Sequence, residues 1–311
     1  MMKIIRGISR FRRPYPKSVL AIGVFDGLHH GHRALIARTV ARAKKIKGTS
    51  VVMTFDPHPM NVLHPQKKLP LIASLDYRLK LLQDMGVDVC LVARFTKRFA
   101  QMDPVRFIEH YMVRRMNAVE VVVGKDFRFG FRRRGDNDLL KRAGERYGFV
   151  VHAVSLLKSG DRQKVSSTHI RKLISDGDIY HAGQLLDRPV SIMGRVVVGD
   201  RRGRQLGYPT ANLDSSVTGF APRGVFCVRV YIGSKVYTGM ANVGSRPSFK
   251  KEKSVSIEVH LFDVDENFYG KMMRVEFLKK IRRERIFVSR QAFIDQLHHD
   301  ERLARAWFAV H

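Results

Sequence analysis

Three histidines and three glycines crowd into ten residues, Gly23-Val24-Phe25-Asp26-Gly27-Leu28-His29-His30-Gly31-His32. His29 and His32 stand three apart, so they share one side of a helical turn. Free N–H groups at the start of a helix favour a phosphate. Two imidazoles placed there could hold the phosphates of ATP and stabilise charge that develops during attack on the α-phosphate. Gly31 between them would let those phosphates approach closely. Gly23, Phe25 and Asp26 form the turn that presents them, and Asp26 reads as orienting that turn or a magnesium-bound water. A metal site and plain surface histidines are the competing readings.

A second constellation lies downstream. Gly194, Gly199, Gly203 and Gly207 fall within fourteen residues of a β-rich segment. They make a backbone cradle for phosphates without a Walker lysine pattern. Arg201, Arg202 and Arg204 add positive charge. Thr210 and Asn212 alternate on an extended chain, so both face one side. Their neutral oxygens suit Mg²⁺. Glu258 sits between Ile257 and Val259 in an alternating run, so its carboxylate projects opposite to those side chains. A solvated glutamate is the commoner fate of an isolated residue of this kind.

The elements that must position these residues change character along the chain. Val19–Phe25 is a continuous apolar run, as a buried parallel strand should be. Arg33–Lys45 follows with helical spacing. Strand and helix then alternate: Ser50–Phe55, Tyr77–Met85, Val87–Phe95, Pro104–Met116, Val119–Val123, Asp138–Tyr147 and Phe149–Val154. This alternation predicts a doubly wound parallel sheet. After about residue 185 the runs turn short and β-rich, separated by Gly, Pro and Asp turns, which predicts a small antiparallel barrel or sandwich. Ser289 could cap a final helix through about Trp307. Two domains are expected, 1–185 and 186–311.

Composition narrows the classes. The chain has 311 residues, 44% hydrophobic and 27% charged, so it is globular rather than disordered. No stretch approaches the ~18 apolar residues of a membrane span. Two distant cysteines, Cys90 and Cys227, make neither a disulfide framework nor a zinc site, and a reducing cytoplasm is the expected home. Lys plus Arg is 57 against 28 Asp plus Glu, a formal net charge of +29. Residues 1–185 carry +20 and the remainder +9, with no basic tail. Such a field attracts nucleic acids, nucleotides or phosphorylated metabolites, or reflects a basic proteome.

Three further segments share the first half: Thr54-Phe55-Asp56-Pro57-His58-Pro59, Gly124-Lys125-Asp126-Phe127-Arg128-Phe129-Gly130, and Val165-Ser166-Ser167-Thr168-His169-Ile170-Arg171. With them the chain resembles the HxGH nucleotidyltransferases, and in particular the bacterial bifunctional riboflavin kinase/FMN adenylyltransferases, also called FAD synthetases. Gly207-Tyr208-Pro209-Thr210-Ala211-Asn212 resembles the flavokinase signature. Ala241–Phe249, Phe268–Lys271 and Ile281–Phe287 match later segments. The resemblance spans roughly residues 15–305. It departs at Val24, His30 and the basic run Phe131–Arg134.

The resemblance implies a Rossmann-like N-terminal domain of the HxGH type, and a C-terminal β-barrel with a terminal helix. It implies that Ser167, Thr168 and Arg171 grip ATP phosphates, where a simple N-cap is the plain alternative. It places FMN near Asp126, Phe127 and Arg128, where a loop packed on the core is the plain alternative. Glu258 becomes the catalytic base and Arg282 a flavin or phosphate contact, against a solvated basic turn. The implied substrates are ATP, riboflavin and FMN, with Mg²⁺ as cofactor and with no membrane and no specific nucleic acid as partner. A basic nucleic-acid-binding protein, or a chain retaining one of the two activities, is the alternative.

Overall fold

The computed structural model describes residues 1–11, 15–155, 165–199, 203, 206–214, 219–245 and 255–311. The chain divides into two compact units, residues 1–69 with 78–165, and residues 70–77 with 166–311. The first unit is built on six strands: Lys3–Arg6 (β1), Ser18–Ile22 (β2), Thr49–Asp56 (β3), Val89–Arg94 (β4), Ala118–Gly124 (β5) and Val150–Val154 (β6). Their order is β1-β4-β3-β2-β5-β6, and every pairing is parallel. Between them run the helices His30–Lys45 (α1), Pro59–Leu63 (α2), Leu75–Asp84 (α3), Lys97–Ala100 (α4), Pro104–Phe107 (α5) and Asn137–Tyr147 (α6).

Sequence pattern and place in the sheet agree. β2 is buried at all five positions because β3 and β5 flank it and α1 packs on β2 and β3 through Leu35, Ile36, Val40 and Ala43. From β2 the chain moves outward through β3 and β4. It then returns to the other side of β2 with β5 and β6. The switch point therefore lies between β2 and β5, the place where open parallel sheets bind ligands at the carboxyl ends of their strands. The Gly23–His32 turn leaves β2 there, and the Gly124–Gly130 loop leaves β5.

Two details differ from the sequence expectation. β1 adds a sixth strand at the sheet edge, pairing with β4. The helix expected over Pro104–Met116 is α-helical only to Phe107, and Ile108–Val113 is wound as a π-helix.

The second unit opens with Ser167–Asp176 (α7) and Ile179–Leu186 (α8). Six strands follow: Val190–Val197 (β7), Ala211–Leu213 (β8), Gly224–Ile232 (β9), Lys235–Ser245 (β10), Val255–Leu261 (β11) and Met272–Arg282 (β12). They close into an antiparallel barrel in the order β10-β11-β8-β7-β12-β9. The structure is thus a barrel, not a sandwich. Arg290–Val310 (α9) packs its Leu297, Ala304, Trp307 and Phe308 with Tyr208, Cys227, Met240 and Phe262 of the barrel. The eight-residue segment 70–77 belongs to this unit. Leu71 O accepts from Phe220 N at 2.7 Å, Pro70 O accepts from Arg171 Nε at 2.8 Å, and the Arg188 guanidinium lies 5.5 Å from the Tyr77 ring centre.

Candidate functional site

In the first unit the turn after β2 is tightly specified. Phe25 takes the left-handed region at φ 52°, which is costly for a bulky residue, and its ring folds back over Gly23. A Cβ at position 23 would lie 2.8 Å from that ring. Asp26 is buried, and Gly27 at φ 78° completes the turn. His29 is the N-cap of α1, and its Nδ1 accepts the His32 N–H at 3.4 Å. The two rings stack with centres 3.7 Å apart, and the Phe25 ring meets His32 edge-on at 5.4 Å. The two imidazoles therefore do sit together over a helix N-terminus, with Gly31 buried between them. His32 Nδ1 is shut off from solvent and has no hydrogen-bond partner among the described residues. Burial, and then the neighbouring His29, hold the His32 pKa well below its ordinary value, so the ring is neutral.

Arg78 of α3, which sequence reasoning passed over, lies beneath this turn. It is 1% exposed, yet its guanidinium donates to Val24 O at 3.0 Å, Thr54 Oγ1 at 3.3 Å and Phe55 O at 3.4 Å. Thr54 Oγ1 in turn donates to Val24 O at 2.9 Å. The turn after β2 and the end of β3 are thus fastened to one buried cation near Asp26 and Asp56. Arginine in an amphipathic helix pattern reads as a solvated face, and nothing in the spacing distinguishes this one.

The loop after β5 carries Asp126 and Arg128 exposed, while Phe127 stacks on Phe129 at 5.4 Å and packs against the sheet's core cluster. Arg128 is tied to Asp136 at 2.9 Å. In the second unit Ser166 is the N-cap of α7, its Oγ accepting His169 N at 3.2 Å, so the cap accounts for that serine. Ser167 and Thr168 occupy the first turn, and Arg171 lies one turn further along.

The barrel assembles the other constellation. Glu258 of β11 stands in register with Asn212 of β8 on one side and Asn242 of β10 on the other. Directly opposed residues of antiparallel strands project to the same face, so the three side chains form a row. Ser256 Oγ donates to Glu258 Oε1 at 3.0 Å, a contact that sequence reasoning did not single out. The four glycines do different jobs. Gly194 is an interior residue of β7 opposite Met273. Gly199 is pressed on the Asn212 carboxamide, where a Cβ would lie 2.7 Å from Oδ1 and closer still to Nδ2. Gly203 is pressed on Tyr208 O, and a Cβ there would lie 3.2 Å from Thr210 Oγ1. Gly207 turns the chain at φ 80°.

A cavity of about 440 Å³ opens beside Thr210, lined by Val196, Pro209, Val259, Leu261 and Phe268 among others. Arg282 is bound by Asp300 of α9, which is fully buried, through Nε at 2.8 Å and Nη2 at 2.8 Å. Arg201, Arg202, Arg204 and Arg246–Phe249 lie outside the described residues. Among the described residues no group of three or more His, Cys, Asp or Glu could hold a metal ion, and no helix is long and apolar enough to cross a membrane.

Comparison with known proteins bears on both constellations. Residues 12–169 match the FAD synthetase family model and residues 186–308 the riboflavin kinase model. A bifunctional riboflavin kinase/FMN adenylyltransferase of Escherichia coli K12 is 38% identical over 311 residues, covering 99% of each chain. One of Bacillus subtilis is 36% identical, covering 94% of this chain and 93% of its own. A crystal structure described as a macrolide-efflux protein from Streptococcus pneumoniae superposes with a TM-score of 0.84 at 33% identity, covering 98% of this chain and 100% of that one. Matched along its whole length by relatives of one kind, this chain belongs to the bifunctional riboflavin kinase/FMN adenylyltransferase family.

Proposed function

We propose that the two activities of the family are divided within this chain, adenylyl transfer to FMN in residues 1–185 and phosphorylation of riboflavin in residues 186–311. The two nucleophiles differ, and so do the residues that face them. The phosphate of FMN has a second pKa of ~6 and is already an anion at neutral pH. It needs no base, only positioning and neutralised charge. We assign His29 and His32, at the start of α1 in the first unit, to the ATP phosphates. Ser167, Thr168 and Arg171, at the start of α7 in the second unit, keep the ATP-phosphate role that the resemblance of their own motif implies. Asp126, Phe127 and Arg128 are assigned to the flavin. Arg171 presents the one fixed cation of its motif. Its Nε donates to Pro70 O at 2.8 Å, which fixes the stem of the side chain.

The 5′-hydroxyl of riboflavin is neutral and does require a base. Glu258 is that base in our reading, accepting the hydroxyl proton as the oxygen attacks the γ-phosphate of ATP. Ser256 holds one carboxylate oxygen from the side. Thr210 and Asn212 would hold Mg²⁺. Their hydroxyl and carboxamide oxygens are hard neutral donors, and Gly199 and Gly203 admit no Cβ beside them, since one at 199 would collide with the Asn212 carboxamide and one at 203 with Tyr208 O. When bound, Mg²⁺ would neutralise charge on the ATP phosphates. The 440 Å³ cavity beside Thr210 has room for the nucleoside of ATP. Arg282 is assigned to a flavin or phosphate contact, with its guanidinium held by Asp300. Both cysteines are buried free thiols, and we place the enzyme in the cytoplasm.

The observation that supports the kinase reading is the register of Glu258 with Asn212, a carboxylate and a carboxamide side by side on one face. Glu258→Ala tests it. We expect FMN formation from riboflavin to fall at least about a thousandfold, while FAD formation from supplied FMN is unchanged in the same preparation. Loss of both activities in a folded variant overturns the division.

A further inference from the structure

We infer that Tyr208 is a positioning residue for riboflavin phosphorylation, and that α9 is the element that holds it in place. The inference rests on the reading of Thr210, Asn212 and Glu258 given above.

Tyr208 opens the short stretch that carries Thr210 and Asn212. Its ring is buried, and its hydroxyl points at α9. The hydroxyl donates to Glu301 Oε2 at 2.9 Å and lies 2.8 Å from His298 Nδ1. A phenol has one proton to give, so His298 Nδ1 is the donor in the second bond. Glu301 Oε1 accepts from Arg305 Nε at 2.7 Å, one turn further along α9. The remaining two nitrogens of Arg305 take both oxygens of Asp263 at 2.8 Å each. Asp263 lies just past the end of β11, the strand that carries Glu258. The chain of contacts therefore starts at the cation-ligand stretch, passes through α9, and returns to the strand of the base.

A second contact closes the circuit directly. His260 stands two residues beyond Glu258, on the same face of β11. Its Nδ1 lies 2.8 Å from Pro209 O, and a carbonyl can only accept, so the ring donates. The His260 ring also meets Tyr208 edge-on at 5.0 Å. Residues 208–212 are thus referenced to β11 at three points: Pro209 at His260, Asn212 at Glu258, and Tyr208 through Glu301, Arg305 and Asp263.

None of the polar contacts of Tyr208 is needed to close the barrel, whose six strands complete their own ladder. A phenylalanine would fill the same space among Cys227, Met240 and Phe262. The hydroxyl supplies alignment, and alignment matters because a hard cation ligated by one hydroxyl and one carboxamide tolerates little displacement of either.

The test compares Tyr208→Phe and Glu301→Gln with the parent enzyme by three readouts. The first is hydrogen exchange of the Leu206–Leu213 amides in metal-free protein. The second is the KM for MgATP and the Mg²⁺ midpoint of FMN formation. The third is FAD formation from supplied FMN. We expect exchange to accelerate about tenfold and the KM and midpoint to rise about tenfold, the size of a lost hydrogen bond to a charged acceptor, with kcat less affected and FAD formation unchanged. Exchange and KM within about twofold of the parent overturn the inference, even where the melting temperature falls, since the hydroxyl would then serve packing alone. Should Tyr208→Phe fail to fold, Glu301→Gln carries the test. A parent enzyme that makes no FMN overturns the kinase reading instead, and the exchange rates of metal-free protein still decide whether α9 orders the stretch.

Discussion

An imidazole nitrogen that accepts a backbone N–H cannot also carry a proton. His29 caps α1 through Nδ1, so its own proton sits on Nε2, and His32 is kept neutral by burial beside it. The pair is therefore a set of neutral donors at a helix N-terminus, not a permanent dication. This has a pH signature. The folded pKa of His32 lies below its unfolded value of about 6.5, so below that pH the unfolded chain binds a proton that the folded chain refuses. Stability present above pH ~6.5 is lost as the pH falls, by at most about 1.4 kcal/mol per unit for one group. Urea unfolding at pH 7, 6 and 5 should show a shallower decline for His32→Gln than for the parent, and equal slopes would refute the buried neutral ring. His32→Ala should also slow FAD formation by ~10²-fold or more, with FMN formation unaffected. At this scale the sequence offers as candidates side chains whose spacing is itself the signal: His29, His32, Thr210, Asn212, Glu258. It did not show Arg78, because burial of a cation depends on three oxygens brought from β3 and the turn after β2, none of them its neighbour in the chain.

Elements were legible where the apolar run was long and silent where pairing alone makes the strand. β2 announces itself by five buried positions in a row. β1 has two apolar residues between Lys3 and Arg6 and sits at an edge, where charged side chains are tolerated. β8 is three residues long in a turn-rich stretch, and exists because β7 and β11 hold it from both sides. A π-helix shares the apolar spacing of an α-helix over six residues, so Ile108–Val113 could not be told apart by period. In the glycine-rich segment the four glycines hold different local positions: Gly194 inside β7, Gly199 and Gly203 pressed on neighbouring groups, and Gly207 at a turn. Gly199 is the informative one, since its missing Cβ makes room for the Asn212 carboxamide. Gly199→Ala should raise the Mg²⁺ midpoint of FMN formation by about tenfold or more, as displacement of a single cation ligand requires. Gly194→Ala, in a strand interior, should leave that midpoint within about twofold. Equal midpoints for Gly199→Ala and parent would refute the proposal that Asn212 is a ligand.

On the scale of the whole molecule the net charge of +29 is the least specific feature and the easiest to misread. It attracts any polyanion, but with phosphates as the substrates of both reactions it has a use without nucleic acid. Affinity for duplex DNA should be weak and should fall steeply with ionic strength. Filter binding that stays sequence-selective at roughly physiological salt would contradict this. The division into two units has a different consequence, for the order in which the molecule can be made. Residues 70–77 leave the ribosome within the first unit, yet their partners, among them Arg171, Arg188 and Phe220, are translated much later. At ~5–20 residues per second the segment waits on the order of ten seconds for its place. During that interval the segment lacks these partners, so a protease present during synthesis should cut at 70–77 in chains arrested before residue 220 and spare the finished protein.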